Sequence, residues 1–193
     1  MEFSVGYIAA LVLGVSLGII IGWYRRLSYL FEPLINFLYA IPRIALLPII
    51  VLWLGLTVYA KIAVVFLGAF ITILLNTHAG VQRVEPKLLA VAQTYGASQR
   101  RIFTSVVLPG SVPFILAGLR LGAGRALIGV VIAELYAANA GLGYMIVVAS
   151  NNLQVDRVLF GTFLFIALGM VTTEILRRIE KRFAVWRQDL RVL

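Results

Sequence analysis

Three features of this sequence predict an all-α, polytopic membrane protein. The first is composition: 62% of the 193 residues are hydrophobic, only 13% are charged, and the mean hydropathy is +1.00. A soluble domain of this length needs polar cover for its surface, and this chain does not supply it. The second is that the apolar residues gather in runs of about 20, long enough to cross the hydrocarbon of a bilayer as helices. The third is the placing of the basic residues. Arg25, Arg26, Arg83, Lys87, Arg100, Arg101, Arg177, Arg178, Lys181, Arg182, Arg187 and Arg191 fall in loops and tails on one side, and Lys61 and Arg157 fall opposite. Basic bias marks the cytoplasmic side, so the net charge of +9 reflects orientation rather than a nucleic-acid partner. The chain has no cysteine, which excludes disulfides and thiolate metal sites.

The first span is expected at 3–24. Glu2 precedes it and Arg25 and Arg26 follow, the reverse of a cleavable signal peptide, so the N-terminus lies outside. Ala10, Gly14, Gly18 and Gly22 recur every four residues, a stripe that lets helices touch backbone to backbone in lipid. A second span, 34–56, returns outward and is interrupted by Pro42, Arg43 and Pro48. Helix breaks and charge at membrane depth are tolerated where protein or water covers the freed backbone, so these three are candidate pathway positions. A third span, 58–76, runs inward and ends beside His78. This lone histidine has no partner at ligand spacing and reads as an interfacial polar residue, not a metal ligand.

The fourth span, 112–134, carries Gly118, Gly122, Ala126, Gly129 and Ala133 as another small-residue stripe and should lie deep in the bundle. Arg120 and Arg125 lie roughly 13 and 20 Å along it if the helix begins at Ser111. Charge at such depth marks either a passage or a buried partner. Glu134 is about 21 Å beyond Arg120 and cannot pair with it within the helix, so all three join the pathway candidates. Ala138 to Asn152 is an external loop or re-entrant piece, and a fifth span, 158–175, descends. In the tail, 176–193, Leu176, Ile179, Phe183, Trp186 and Leu190 fall three or four apart among basic residues, as in an amphipathic interfacial helix.

Between the third and fourth spans lies one polar island, the cytoplasmic loop 77–111. Its stretch VEPKLLAVAQTYGASQRRIFTSVVLP, from Val84 to Pro109, predicts two short helices. Pro86 suits a first helical turn and Gly96 the left-handed residue that closes a helix, so the first helix spans Pro86 to Tyr95. Ser98 can cap the second, which should stop near Leu108 because Pro109 cannot continue it. Ala90, Ala92, Gly96 and Ala97 crowd small side chains around the turn, where another backbone can come close. Taken alone, the pair fits a surface helix-turn-helix, a DNA reader or a docking element. Membrane spans close on both sides leave little room for a DNA-binding domain.

This stretch resembles the cytoplasmic loop of the membrane permease subunits of binding-protein-dependent ABC importers. Their pattern is Glu-Ala-Ala, three residues, Gly, nine residues, Ile-x-Leu-Pro. Val91 and Ala92 fill its second and third places, Gly96 is the glycine, and Val106, Leu108 and Pro109 fill the end at the expected spacing. Ala90 stands where the family usually has Glu. The runs Tyr39 to Pro42, Leu47-Pro48, Trp53 to Gly55 and Ala140 to Tyr144 resemble the same family. The likeness implies a five-helix type I importer core, one transmembrane domain over residues 1–193, in which Glu85, Val91, Ala92, Gly96, Ala97, Val106, Leu108 and Pro109 belong to an ATPase-coupling loop. It further implies a homodimer in a bacterial-type cytoplasmic membrane, two cytoplasmic ATPase subunits that hold ATP and Mg, and an extracytoplasmic solute-binding protein. Members commonly carry one further helix ahead of the first span. The likeness is greatest to importers of nitrate, sulfonates, taurine and bicarbonate, which implies a small anionic or zwitterionic solute.

No cofactor or metal is expected on this chain. The P-loop pattern is absent, and Gly122-Ala123-Gly124 lacks the third glycine of a dinucleotide fingerprint and sits within an apolar run. An ion-coupled carrier or channel is the alternative; it would ordinarily show an inverted repeat or an acidic mid-membrane proton site, and the sequence shows no repeat. A polytopic enzyme would need converging polar groups, and none emerges.

Overall fold

The computed structural model describes residues 1–137 and 140–183, and within them every regular element is helical. In chain order these are α1 (Glu2–Trp23), α2 (Arg25–Ala40), a 3₁₀ turn (Arg43–Leu46), α3 (Leu47–Leu54), α4 (Val58–Gln82), α5 (Pro86–Thr94) and α6 (Gln99–Ile102). A π turn (Phe103–Val107) then leads into α7 (Leu108–Ala137), followed by α8 (Leu142–Asn151) and α9 (Val155–Phe183). Four helices are long and apolar enough to cross a membrane: Glu2–Trp23, Val58–Gln82, Gln99–Tyr136 and Val155–Lys181. A fifth span results if the bent pair Arg25–Ala40 and Ile44–Leu54 is counted as one.

α4 is the centre of the bundle, packed by α1 on one side and α7 on the other. The glycine stripes explain how. Ile73 is fully buried between Gly14 of α1 and Gly122 of α7. A Cβ on Gly14 would stand 3.0 Å from the Ile73 side chain, and one on Gly122 would stand 2.7 Å from it, so both helices approach closely because those positions carry no side chain. The fourth-span stripe is thus buried as expected, but the most enclosed helix is α4. Polar ties reinforce the packing. Tyr7 Oη donates to the Leu119 carbonyl at 2.8 Å, joining α1 to α7. On α2, Ser28 Oγ shares a 2.9 Å hydrogen bond with His78 Nε2 and accepts another from Gln82 Nε2 at 2.7 Å, so His78 serves as an interhelical polar contact.

The structure refines the sequence expectations in several places. Helix resumes at Arg25 with only Tyr24 between, and Pro33 lies inside α2. The expected span 34–56 is instead two helices bent by 84°, because Pro42 has no N–H and holds Ile41 in extended backbone. α4 and α9 run past 76 and 175, since hydropathy follows membrane depth while a helix continues into the polar flank. The second loop helix does not stop at Leu108. It passes through the π turn and Pro109 into α7 as one 38-residue helix, Gln99–Tyr136. Pro109 would crowd the carbonyl four residues back, and the wider turn just before it takes up that change of register. Within 138–152, expected as an external loop or re-entrant piece, residues Leu142–Asn151 form α8, an apolar helix too short to span the hydrocarbon. Of the tail, 176–183 continues α9, whereas Trp186, Leu190, Arg187 and Arg191 lie outside the described residues.

Candidate coupling site and passage residues

The loop helices are built as their caps dictate. Glu85 is the N-cap of α5, and its carbonyl accepts from the Leu88 and Leu89 amides at 3.0 and 3.4 Å. Pro86 fills the first position, where its missing N–H costs nothing. At the other end Gly96 takes φ +71°. Its N–H donates to the Gln93 carbonyl at 2.9 Å and that of Ala97 donates to the Ala92 carbonyl at 3.0 Å, the paired bonds of a Schellman closure. Ser98 Oγ accepts from the Arg101 amide at 3.4 Å and caps α6.

The faces of α5 divide sharply. Leu89, Ala92 and Ala97, with Val106, pack on a buried cluster of Val81, Val84, Ile102 and Val107, which Ile19 and Trp23 of α1 also meet. Trp23 and Phe103 stand with ring centroids 5.0 Å apart. Leu88, Val91 and Tyr95 point the other way and are 52, 53 and 86% exposed, spaced so that they share one face. Ala92 and Ala97, expected to admit a partner because they are small, instead face inward, and they let α5 and α6 seat on the end of α1. Ala90, Gly96 and Glu85 remain exposed, as does Pro109, while Leu108 is half-buried. A Cβ on Gly96 would meet nothing within 4 Å. Leu88 and Tyr95 lie outside the family pattern; the signal that finds them is their i, i+3, i+7 spacing with Val91.

The passage candidates do not converge. Pro42 and Pro48 are exposed at the break between α2 and α3, where Pro48 opens α3 rather than interrupting a helix, and the Arg43 side chain lies outside the described residues. On α7, Arg120 Nη1 meets Glu180 Oε2 of α9 at 2.9 Å, an ion pair without the alignment of a hydrogen bond. Glu180 sits among Arg177, Arg178 and Lys181, so Arg120 lies level with the charged end of α9. Arg125 is exposed and forms no ion pair among the described residues. Glu134 acts locally, since its Oε2 accepts from the Gly143 amide at 2.8 Å and so caps α8 from a neighbouring element. Gly141, at φ +118°, leaves the space that the carboxylate occupies, since a Cβ there would fall 2.6 Å from Glu134 Cδ. Among the described residues no three His, Cys, Asp or Glu side chains gather to hold a metal.

Apolar helices around a central α4, with a solvated helix pair rooted in the same core, define a multi-pass membrane component. The chain belongs to the family described as the binding-protein-dependent transport system inner membrane component, which matches residues 11–185. It is 40% identical over 187 residues to a putative ABC transporter permease protein of Methanocaldococcus jannaschii, covering 96% of this chain and 70% of that one. A putative aliphatic sulfonates transport permease protein of Bacillus subtilis is 33% identical, with 96% of this chain and 67% of the other covered. The taurine transport system permease protein of Escherichia coli is likewise 33% identical, over 94% and 66%. Among solved structures the fold is shared with a methionine ABC transporter in inward-facing form. The TM-score is 0.79 at 18% identity, covering 94% of this chain and 91% of that one. This chain is therefore an ABC importer permease, a membrane component and not an enzyme, of the branch that includes the sulfonate and taurine permeases. A carrier or channel is not favoured.

Proposed function

We propose that two copies of this chain form the passage of an importer for a small sulfonate-like anion or zwitterion in a bacterial-type cytoplasmic membrane. Two cytoplasmic ATPase subunits, which bind ATP and Mg, dock on the outward face of α5, and an extracytoplasmic binding protein delivers the solute. The observation that carries the docking is the exposed stripe Leu88, Val91 and Tyr95 on a helix whose other face is rooted in the bundle. The solute class is supported by the relatives named for sulfonates and taurine and by Arg125, a charge on α7 without an ion-pair partner among the described residues. A cation at membrane depth favours anions. The assembled complex in vesicles should take up radiolabelled taurine or an alkanesulfonate when ATP and the binding protein are present. Arg125→Gln should assemble normally and raise KM. ATP hydrolysis stimulated by the binding protein without uptake of any sulfonate would discard the solute class, and unchanged uptake by Arg125→Gln would remove that residue from the passage.

A further inference from the structure

The cytoplasmic end of α1 borders a cavity of about 530 Å³ whose lining includes none of the passage candidates. Trp23, Tyr24 and Arg25 of the α1–α2 junction line it together with Leu89 and Gln93 of α5 and Gln99 of α6. Leu13, Leu17, Ile20 and Tyr24 follow one another at helical spacing on the exposed face of α1, so an apolar track descends the helix and ends at the cavity. The opposite face of α1, with Gly6, Ala10, Gly14 and Gly18, is buried on α4, so this track is not covered by the other described residues. Trp and Tyr at its lower end are the side chains that sit at headgroup level.

The polar lining matches a headgroup. No acidic residue lines the cavity, and no carboxylate pairs with Arg25 among the described residues. Arg25 Nε and Nη2 donate to Tyr29 Oη at 3.2 and 3.1 Å. A guanidinium has five N–H donors, so this contact orients the group and leaves donors for an anion. The Gln93 and Gln99 amides add neutral donors from the facing wall. We propose that this cavity binds the phosphate of an anionic phospholipid headgroup, whose acyl chains lie along the α1 track. Because one wall is the α1–α2 junction and the other is α5 and α6, the bound lipid fastens the loop helices to the first membrane helix. Such a site requires membrane residence and does not depend on the solute.

The test is native mass spectrometry of the full chain in detergent, after incubation with equal amounts of phosphatidylglycerol and phosphatidylcholine. Phosphatidylglycerol should be retained in preference. Arg25→Gln should reduce that retention about fivefold, the effect of one basic residue near an anionic surface, while Arg26→Gln, outside the lining, should not. Gln99→Leu, on the facing wall, should also reduce it and serves if Arg25→Gln does not assemble. Equal retention of the two lipids, or equal loss in Arg25→Gln and Arg26→Gln, overturns the proposal. Displacement of the bound lipid by millimolar inorganic phosphate would assign the site to a soluble anion and overturn it as well. Sulfonate uptake is read separately, so a wrong solute class and a wrong lipid site give different results.

Discussion

Gly96 concentrates the mechanics of the loop in one backbone angle. At φ +71° a β-branched residue costs roughly 1 to 2 kcal/mol, yet a side chain there meets no atom of its own chain within 4 Å. The penalty of Gly96→Val therefore falls on the closure of α5 and on whatever docks against it, not on the membrane bundle. Membrane insertion should be normal, while copurification of the ATPase subunits or stimulation of their activity should fall. Complex yield, stimulation and uptake all at wild-type levels would remove the loop from coupling. Ala90→Glu should be tolerated, because Ala90 is exposed on α5. At this scale the sequence was most informative where backbone chemistry has few solutions: Pro86, Gly96 and Ser98 each occupy the position their type demands. It was least informative for charged side chains. Nothing local to Arg120 or Glu134 announces that one pairs with a residue 60 positions later and the other caps a helix beyond its own.

Those two contacts matter at the level of elements, since each joins α7 to a different neighbour. The pair of Arg120 with Glu180 is partly buried, with side-chain exposures of 34 and 22%, so screening by water is incomplete. A double-mutant cycle with Arg120→Gln and Glu180→Gln, read as thermal stability in detergent, should give a coupling of about 0.5 to 3 kcal/mol. Additive losses would show that the two charges do not stabilise one another. Element boundaries were the least legible part of the sequence. Apolar runs mark what lipid can cover, so they ended α4 and α9 early, and the rule that proline stops a helix ended the second loop helix at Leu108, although it continues into α7. The π turn at Phe103–Val107 has no composition of its own to betray it.

For the whole molecule, the inside-positive charge distribution sets an orientation that chemistry can test directly, because the chain has no native cysteine. A cysteine at Gln99 should be protected from an impermeant reagent in intact cells, and one at Asn151 should be labelled. Either result reversed would invert the topology. The fold class and the bundle were legible because glycine stripes on two helices leave few other ways to pack, as Ile73 between Gly14 and Gly122 shows. That seat is the middle one of several close contacts between α4 and the continuous helix Gln99–Tyr136, and we predict that α6, the π turn and α7 swing about it as one lever. At 1.5 Å per residue its arms are about 35 Å from Gln99 to Gly122 and about 21 Å from Gly122 to Tyr136. A rigid beam so pivoted reverses direction across its support. A push on the long arm by a docked ATPase subunit should then swing the short arm the opposite way through about six-tenths of the distance. Spin labels at residues 99 and 136 of paired copies should therefore report opposite changes in separation when ATP binds, and changes of the same sign would mean that the beam bends.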